Sequence, residues 1–131
     1  MVDFQCKRRY DWEDFLRIMR LLRSPGGCPW DAEQTHQSIR RNFLEETYEA
    51  LDALDRDDPV DMCEELGDVL FMAAKIGQMT GTDPEDALHR SCDKFDSRFR
   101  FVEESADKPL SDCGEAELLA LWREAKTKEK S

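Results

Sequence analysis

Between residues 36 and 80, apolar side chains recur at helical spacing, and four acids fall where water should be scarce. On the stripe formed by Ile39, Phe43, Ala50, Ala53 and Leu54, Glu46 lies inside the arc and Glu49 about 40° beyond its edge, at about 100° per residue. On the next stripe, Met62, Val69, Met72, Ala73 and Ile76, Glu65 lies inside and Asp68 about 40° beyond the edge at Met72. A single acid on a helix normally belongs to a solvated face, whereas carboxylates on an apolar stripe are costly unless something satisfies them. Crowded acids can share protons, or a hard divalent cation can cancel their charge. All-oxygen ligation suits Mg²⁺ or Mn²⁺ better than zinc. Because Mg²⁺ completes its shell with water and phosphate oxygens, such a site is well placed to hold a nucleoside polyphosphate.

The register sharpens this reading. Asp57-Asp58-Pro59 supplies a turn, an N-cap and a proline at the first helical position, so one helix should follow another almost at once. Two helices joined so tightly are expected to pack antiparallel. Glu49 and Glu65 lie equally far from residue 57, as do Glu46 and Asp68. The two i,i+3 acid pairs are therefore expected to face each other about 12–16 Å from the turn.

The elements that must position these acids read as helices throughout. Leu, Ala and Glu number thirty-seven, against twelve for Thr, Val and Ile. A first helix is expected over Asp11–Arg23, with Phe15, Ile18, Met19 and Leu22 as its face, stopped by Ser24-Pro25-Gly26-Gly27. Cys28 to Asp31 reads as a loop, and Asp31 with Gln34 as a capping box. The second helix should run from His36 to Arg56, and the third from Pro59 until it frays over Gly77–Gly81. Asp83-Pro84 repeats the cap-and-proline device for a fourth helix, with Leu88, Cys92, Phe95, Phe99 and Val102 as its seam. Asp112 with Glu115 is read as capping a last helix through Leu118, Leu119 and Trp122 into a frayed basic tail. The expected architecture is all-α: a helical bundle around an antiparallel helix hairpin, oligomeric, in one domain over residues 1–131.

Composition narrows the function. Nineteen Lys and Arg against thirty Asp and Glu leave a formal charge of −11, which argues against duplex nucleic acid or an anionic membrane as partner. The longest apolar run, Val69–Ala74, is six residues, far below a bilayer span. Met1-Val2-Asp3-Phe4 leads into Lys7-Arg8-Arg9 with no apolar stretch, unlike a signal peptide. Five cysteines, with no C-x-x-C pair, fit reduced thiols and a cytoplasmic location better than disulfides or a zinc knuckle.

At this point the chain resembles a known family. Glu45-Glu46-x-x-Glu49, followed after fifteen residues by Glu65-x-x-Asp68, is similar to the E-E-x-x-E…E-x-x-D signature of the all-α nucleoside triphosphate pyrophosphohydrolases, and in particular of their MazG branch. The string Gly26-Gly27-Cys28-Pro29-Trp30-Asp31-x-Glu33-Gln34-Thr35-His36 also resembles that branch, as do Glu64-Glu65-Leu66-Gly67-Asp68, Lys94-Phe95-x-x-Arg98-Phe99 and Leu121-Trp122-Arg123-Glu124-Ala125-Lys126. The likeness covers residues 11–128 and implies one MazG unit, acting as a homodimer or dimer of dimers. It implies hydrolysis of the α–β phosphoanhydride of an NTP or dNTP to NMP and pyrophosphate. By matching positions it implies Glu46, Glu49, Glu65 and Asp68 as ligands of Mg²⁺, with Mn²⁺ as the alternative.

One of Glu46, Glu49, Glu65 and Asp68, or Glu45 beside them, is expected to take the proton of the attacking water, with no choice among them; Glu45, Glu46 and Glu49 are the catalytic candidates. Glu45 is turned about 100° from Glu46 and reads equally as a rim acid. Lys94 and Arg98, one helical turn apart, read either as solvated cations or as partners of the triphosphate, which the resemblance favours. Trp30 and Trp122 are either base-stacking or packed. The chain departs from many relatives in carrying Lys75 and Cys92 where they have Asn. Lys75 points close to the direction of Asp68, toward a salt bridge with a site acid or a phosphate contact.

Three other readings compete. One is a specialised dCTP, dUTP or phosphoribosyl-ATP pyrophosphohydrolase of the same fold, against which the Cys-Pro-Trp-Asp string speaks. A di-iron bundle normally needs two E-x-x-H motifs, and only Glu33-x-x-His36 is present. A non-catalytic helical interaction module would leave the four acids without a purpose.

Overall fold

The computed structural model describes residues 5–130, so the reading of Met1–Phe4 lies outside the described residues. Every regular element among them is helical: α1 Trp12–Arg23, α2 Pro29–Ala32, α3 His36–Arg56, α4 Pro59–Thr80, α5 Pro84–Ser105, a 3₁₀ turn Leu110–Asp112, and α6 Glu115–Lys128. They form two compact units, the first ending at Pro84 and the second beginning at Glu85.

In the first unit, α3 and α4 are joined by only Asp57 and Asp58, and each carries the residue its end requires. Asp57 closes α3 in the left-handed region at φ 53°, a conformation that Asp tolerates better than most side chains. Asp58 caps α4 by accepting from the backbone N–H groups of Val60 and Asp61, with Pro59 just inside the helix. The two helices pack along one another, with Ala53 on α3 and Met72 and Ala74 on α4 buried. Helix α1 packs on α4 through Met19, which is buried, and through the Phe15 and Phe71 rings, 5.0 Å apart. Gln78 of α4 reaches back and donates to the Met19 carbonyl at 2.6 Å.

Several local expectations are corrected. The capping box assigned to Asp31 and Gln34 lies elsewhere: Thr35 and Ser38 form it at the start of α3, and α2 is a single turn after Cys28. A second box, Asp11 with Asp14, opens α1. Helix α4 does not fray at Gly77 but continues to Thr80 and ends at Gly81, φ 69°. Gly77 is needed for close approach instead, since a Cβ there would lie 2.8 Å from the Thr82 carbonyl oxygen. On α4, Ala74 is buried in place of the expected Ala73, and on α3 Leu54 is exposed. Leu44, Tyr48 and Leu51 make a second, exposed apolar stripe on α3, about half a turn from Glu46.

In the second unit, Asp112 belongs to the 3₁₀ turn and Gly114 stands at the N-cap of α6 without a side-chain cap. That helix extends to Lys128, further than the frayed tail expected. Of the α5 seam only Val102 is buried; Leu88, Phe95 and Phe99 are exposed. Phe95 stacks on Phe99 at 5.8 Å and meets Trp122 of α6 at 5.7 Å.

Candidate metal centre and its surroundings

Glu46 and Glu49 are one turn apart on α3, and Glu65 projects from α4. One carboxylate oxygen from each of the three lies within 4.8 Å of the others. Glu46 and Glu65 are half-buried, Glu49 exposed. One oxygen of Glu46 and one of Glu65 are buried with no hydrogen-bond partner. Buried polar atoms are normally satisfied, and an orphaned carboxylate oxygen is costly. Burial pushes the Glu46 carboxyl above the ordinary carboxylate range, and the charges of Glu49, Asp68, Glu65 and Glu45 add to it. Burial likewise raises Glu65, helped by Glu49, Asp61 and Asp68. Two oxygens sharing one Mg²⁺ at about 2.1 Å can be at most about 4.2 Å apart, so oxygens lying within 4.8 Å of one another need at most a small inward movement to share such an ion. The donor set, all oxygen and all anionic, fits such an ion.

Asp68 is exposed and lies outside this three-carboxylate group, although its charge is felt at Glu46 and Glu65. Glu45 is exposed beside the cluster. Lys75 does not pair with Asp68. Its ammonium is bonded to Asp31, and both side chains are largely buried. Burial works to raise the Asp31 carboxyl, but hydrogen bonds from Lys75 and Cys28 and the charges of Lys75 and Arg23 outweigh it, leaving the pKa lowered. Sequence reasoning missed this pair. Its signal was a lysine between Ala74 and Ile76, for which an acid had to be found.

Trp30, on α2, is 76% exposed. In the second unit Lys94 is exposed, whereas Arg98 is engaged: its Nε and Nη2 donate to one oxygen of Glu129 at 2.8 and 2.6 Å. Its guanidinium lies 5.9 Å from the half-buried Trp122 ring.

Residues 34–102 match the model of the MazG nucleotide pyrophosphohydrolase domain. The chain belongs to the MazG family. The MazG match takes in Glu45, Glu46, Glu49, Glu65, Asp68, Lys94 and Arg98, and leaves Trp30 and Trp122 outside. The chain is 39% identical over 126 residues to the uncharacterized protein YabN of Bacillus subtilis, covering 93% of this chain and 25% of that one. It is 40% identical over 123 residues to the nucleoside triphosphate pyrophosphohydrolase of Escherichia coli K12, covering 88% and 44%. It therefore spans less than half the length of these curated relatives. Among solved structures, a mazG-related protein from Thermotoga maritima superposes with a TM-score of 0.61 at 27% identity, covering 88% of this chain and 98% of that one.

Proposed function

We propose that this chain is a divalent-cation-dependent nucleoside triphosphate pyrophosphohydrolase, cleaving the α–β phosphoanhydride of an NTP or dNTP with water. The observation that carries the reading is the pair of buried, unpartnered oxygens of Glu46 and Glu65 converging with Glu49. Glu46, Glu49 and Glu65 would hold Mg²⁺, with Mn²⁺ as the alternative, and Asp68 would join from the next turn of α4. Bound there, the ion would offset the triphosphate charge and acidify water. One carboxylate, Glu45, Glu46 or Glu49, accepts the proton of the attacking water. Water's oxygen bonds to phosphorus as the bridging P–O bond breaks, giving a nucleoside monophosphate and pyrophosphate. Lys94 and Arg98 would meet triphosphate oxygens, as charge-assisted donors do. Trp122 would offer an aromatic face to the nucleotide.

The same reading takes α3 and α4 as an antiparallel hairpin within one MazG domain, since the two-residue connection and their mutual packing favour it. The exposed stripe Leu44, Tyr48 and Leu51 supports assembly as a homodimer or dimer of dimers. No described helix is long and apolar enough to cross a membrane. The five free cysteines favour a cytoplasmic setting.

The test is a panel of NTPs and dNTPs incubated with Mg²⁺, with products separated by anion exchange. Monophosphate and pyrophosphate in equal amounts are expected. Orthophosphate with a diphosphate nucleotide, or no turnover of any substrate, would refute the proposal.

A further inference from the structure

Asn42 stands well inside α3, one turn before Glu46. At about 100° and 1.5 Å per residue it lies about 40° around the helix and about 6 Å along it from Glu46. Its direction falls between those of Glu46 and Glu49, so it continues the acid-bearing strip toward the start of α3. The residue is half-buried, and no described group bonds its side-chain amide. Asn is a poor helix former because its side chain competes for backbone hydrogen bonds, and inside a helix it commonly makes one. Thr47 on the same helix does so, donating to the Phe43 carbonyl at 2.7 Å. Asn42 does not, so α3 is weakened there and gains no bond in exchange.

The charges around this position give the amide a use. Glu46, Glu49 and Glu65 gather negative charge, and a triphosphate brings more. A bound cation offsets part of it, and the remaining phosphate oxygens need donors. The arginines and the lysine of α3 and α4 are placed elsewhere. Arg40 and Arg41 are turned about 120° or more from Glu46, while Arg56 and Lys75 are held by Asp61 and Asp31. A cation at position 42 itself would stand four residues from Glu46, pair with it, and take up the oxygen that now has no partner. An uncharged amide carries two N–H donors and leaves that carboxylate free for a metal ion.

We infer that Asn42 is a substrate-binding residue whose amide donates to a phosphate oxygen of the metal-bound triphosphate. The inference rests on the pyrophosphohydrolase reading and adds to it a neutral donor on the acid-bearing face of α3. Asn42 touches substrate and is not a ligand of the ion, so metal affinity and triphosphate affinity respond differently to its replacement.

The experiment measures four quantities: KM and kcat for a nucleoside triphosphate, the inhibition constant of inorganic tripolyphosphate, the Mn²⁺ dissociation constant by electron paramagnetic resonance without nucleotide, and the melting temperature of the cation-free protein. Asn42→Ala should raise KM about tenfold, the scale of one hydrogen bond to a charged group, with the tripolyphosphate constant rising in step. Its kcat and Mn²⁺ constant should stay within about twofold, and its melting temperature should rise, because Ala is the better helix former. Asn42→Asp, nearly isosteric, should raise KM further by repelling phosphate while leaving Mn²⁺ bound at least as tightly. An unchanged KM in Asn42→Ala overturns the inference, as does a tripolyphosphate constant that stays put while KM rises. A Mn²⁺ constant that weakens in step with KM shows an effect through the metal and overturns it too. A lowered melting temperature, or failure of Asn42→Ala to fold, shows a structural role and does the same. Each of these leaves the parent reading standing if the wild-type protein turns over. A wild-type protein that releases pyrophosphate from no nucleotide would instead remove the parent reading, and this inference with it.

Discussion

The first unit holds two kinds of partly or wholly buried acid. Asp14 is only 7% exposed, yet its pKa is lowered, chiefly by the hydrogen bond from Lys7 and that from the Asp11 backbone N–H. Asp31 is lowered as well, because Lys75 and Cys28 outweigh its burial. Glu46 and Glu65 are less buried than Asp14, yet both are raised, and each keeps an oxygen with no partner. Burial therefore does not separate the groups; the supply of donors does. Where the fold has provided a cation or an N–H, the acid stabilises the structure. Where it has provided none, the acid keeps an oxygen without a partner and a raised pKa.

The largest expected effect breaks this comparison by substitution. Glu46→Gln or Glu49→Gln should cut turnover about a hundredfold or more, the scale of removing one electrostatic contact to the transition state. The melting temperature of the cation-free protein should hold or rise, because like-charge crowding is relieved. Asp14→Asn and Asp31→Asn should do the reverse to stability, lowering the melting temperature as Lys7 and Lys75 lose their partners. Added Mn²⁺ should raise the wild-type melting temperature and do so much less in Glu49→Gln. A Glu49→Gln protein with full turnover would remove the ligand role.

A smaller effect lies in pH. Glu46 and Glu65 have folded pKa values raised above the ordinary glutamate value of 4.5, so the native state binds more protons than the unfolded chain between those values. Their contribution destabilises the cation-free protein at neutral pH and disappears as pH falls toward 4.5. Asp14 and Asp31 are lowered from 3.8, so the stability they contribute is present above 3.8 and lost as pH falls through their folded values. Melting temperature in chelator should therefore climb on acidification from neutrality and then fall below about pH 4. Glu46→Gln/Glu65→Gln should flatten the climb and leave the fall. A climb of equal size in that double variant would show that the net charge of the chain, not these two acids, is responsible.

The part of this contrast carried by helix geometry was legible in the sequence. A 3.6-residue period places Glu46 and Glu65 on their stripes without any knowledge of tertiary contacts, and the Asp-Asp-Pro turn fixes where α3 ends and α4 begins. The boundaries His36–Arg56 follow from the same local signals. The Lys75–Asp31 pair was not legible, because its members are 44 residues apart and the path between them depends on how the Gly26-Gly27 turn folds back on α1. Asp31 looked like a cap because Asp three residues before Gln is a common cap pattern, and Thr35 with Ser38 won by standing next to the true helix start. Lys75 looked like a neighbour of Asp68 because helical azimuth alone says nothing about what packs against that face. The exposed stripe Leu44, Tyr48 and Leu51 was passed over because Ile39, Phe43 and Ala53 already supplied a core face.

The smallest effect tests a cation that the fold has already partnered. Arg98 is the mirror case of Glu46: a candidate substrate group whose hydrogen bonds are taken up, here by Glu129, with side chains 18% and 29% exposed. If Arg98 meets triphosphate oxygens, it must leave Glu129 or share it, and the pair then opposes binding by its own strength. Glu129→Gln should free the guanidinium and lower KM about two- to fivefold, the range of a partly exposed ion pair. Arg98→Ala should raise KM, and adding Glu129→Gln to it should bring no further change, because the carboxylate acts only through the arginine. An unchanged KM in Glu129→Gln would leave Arg98 among the fold's paired charges, beside Asp14 and Asp31.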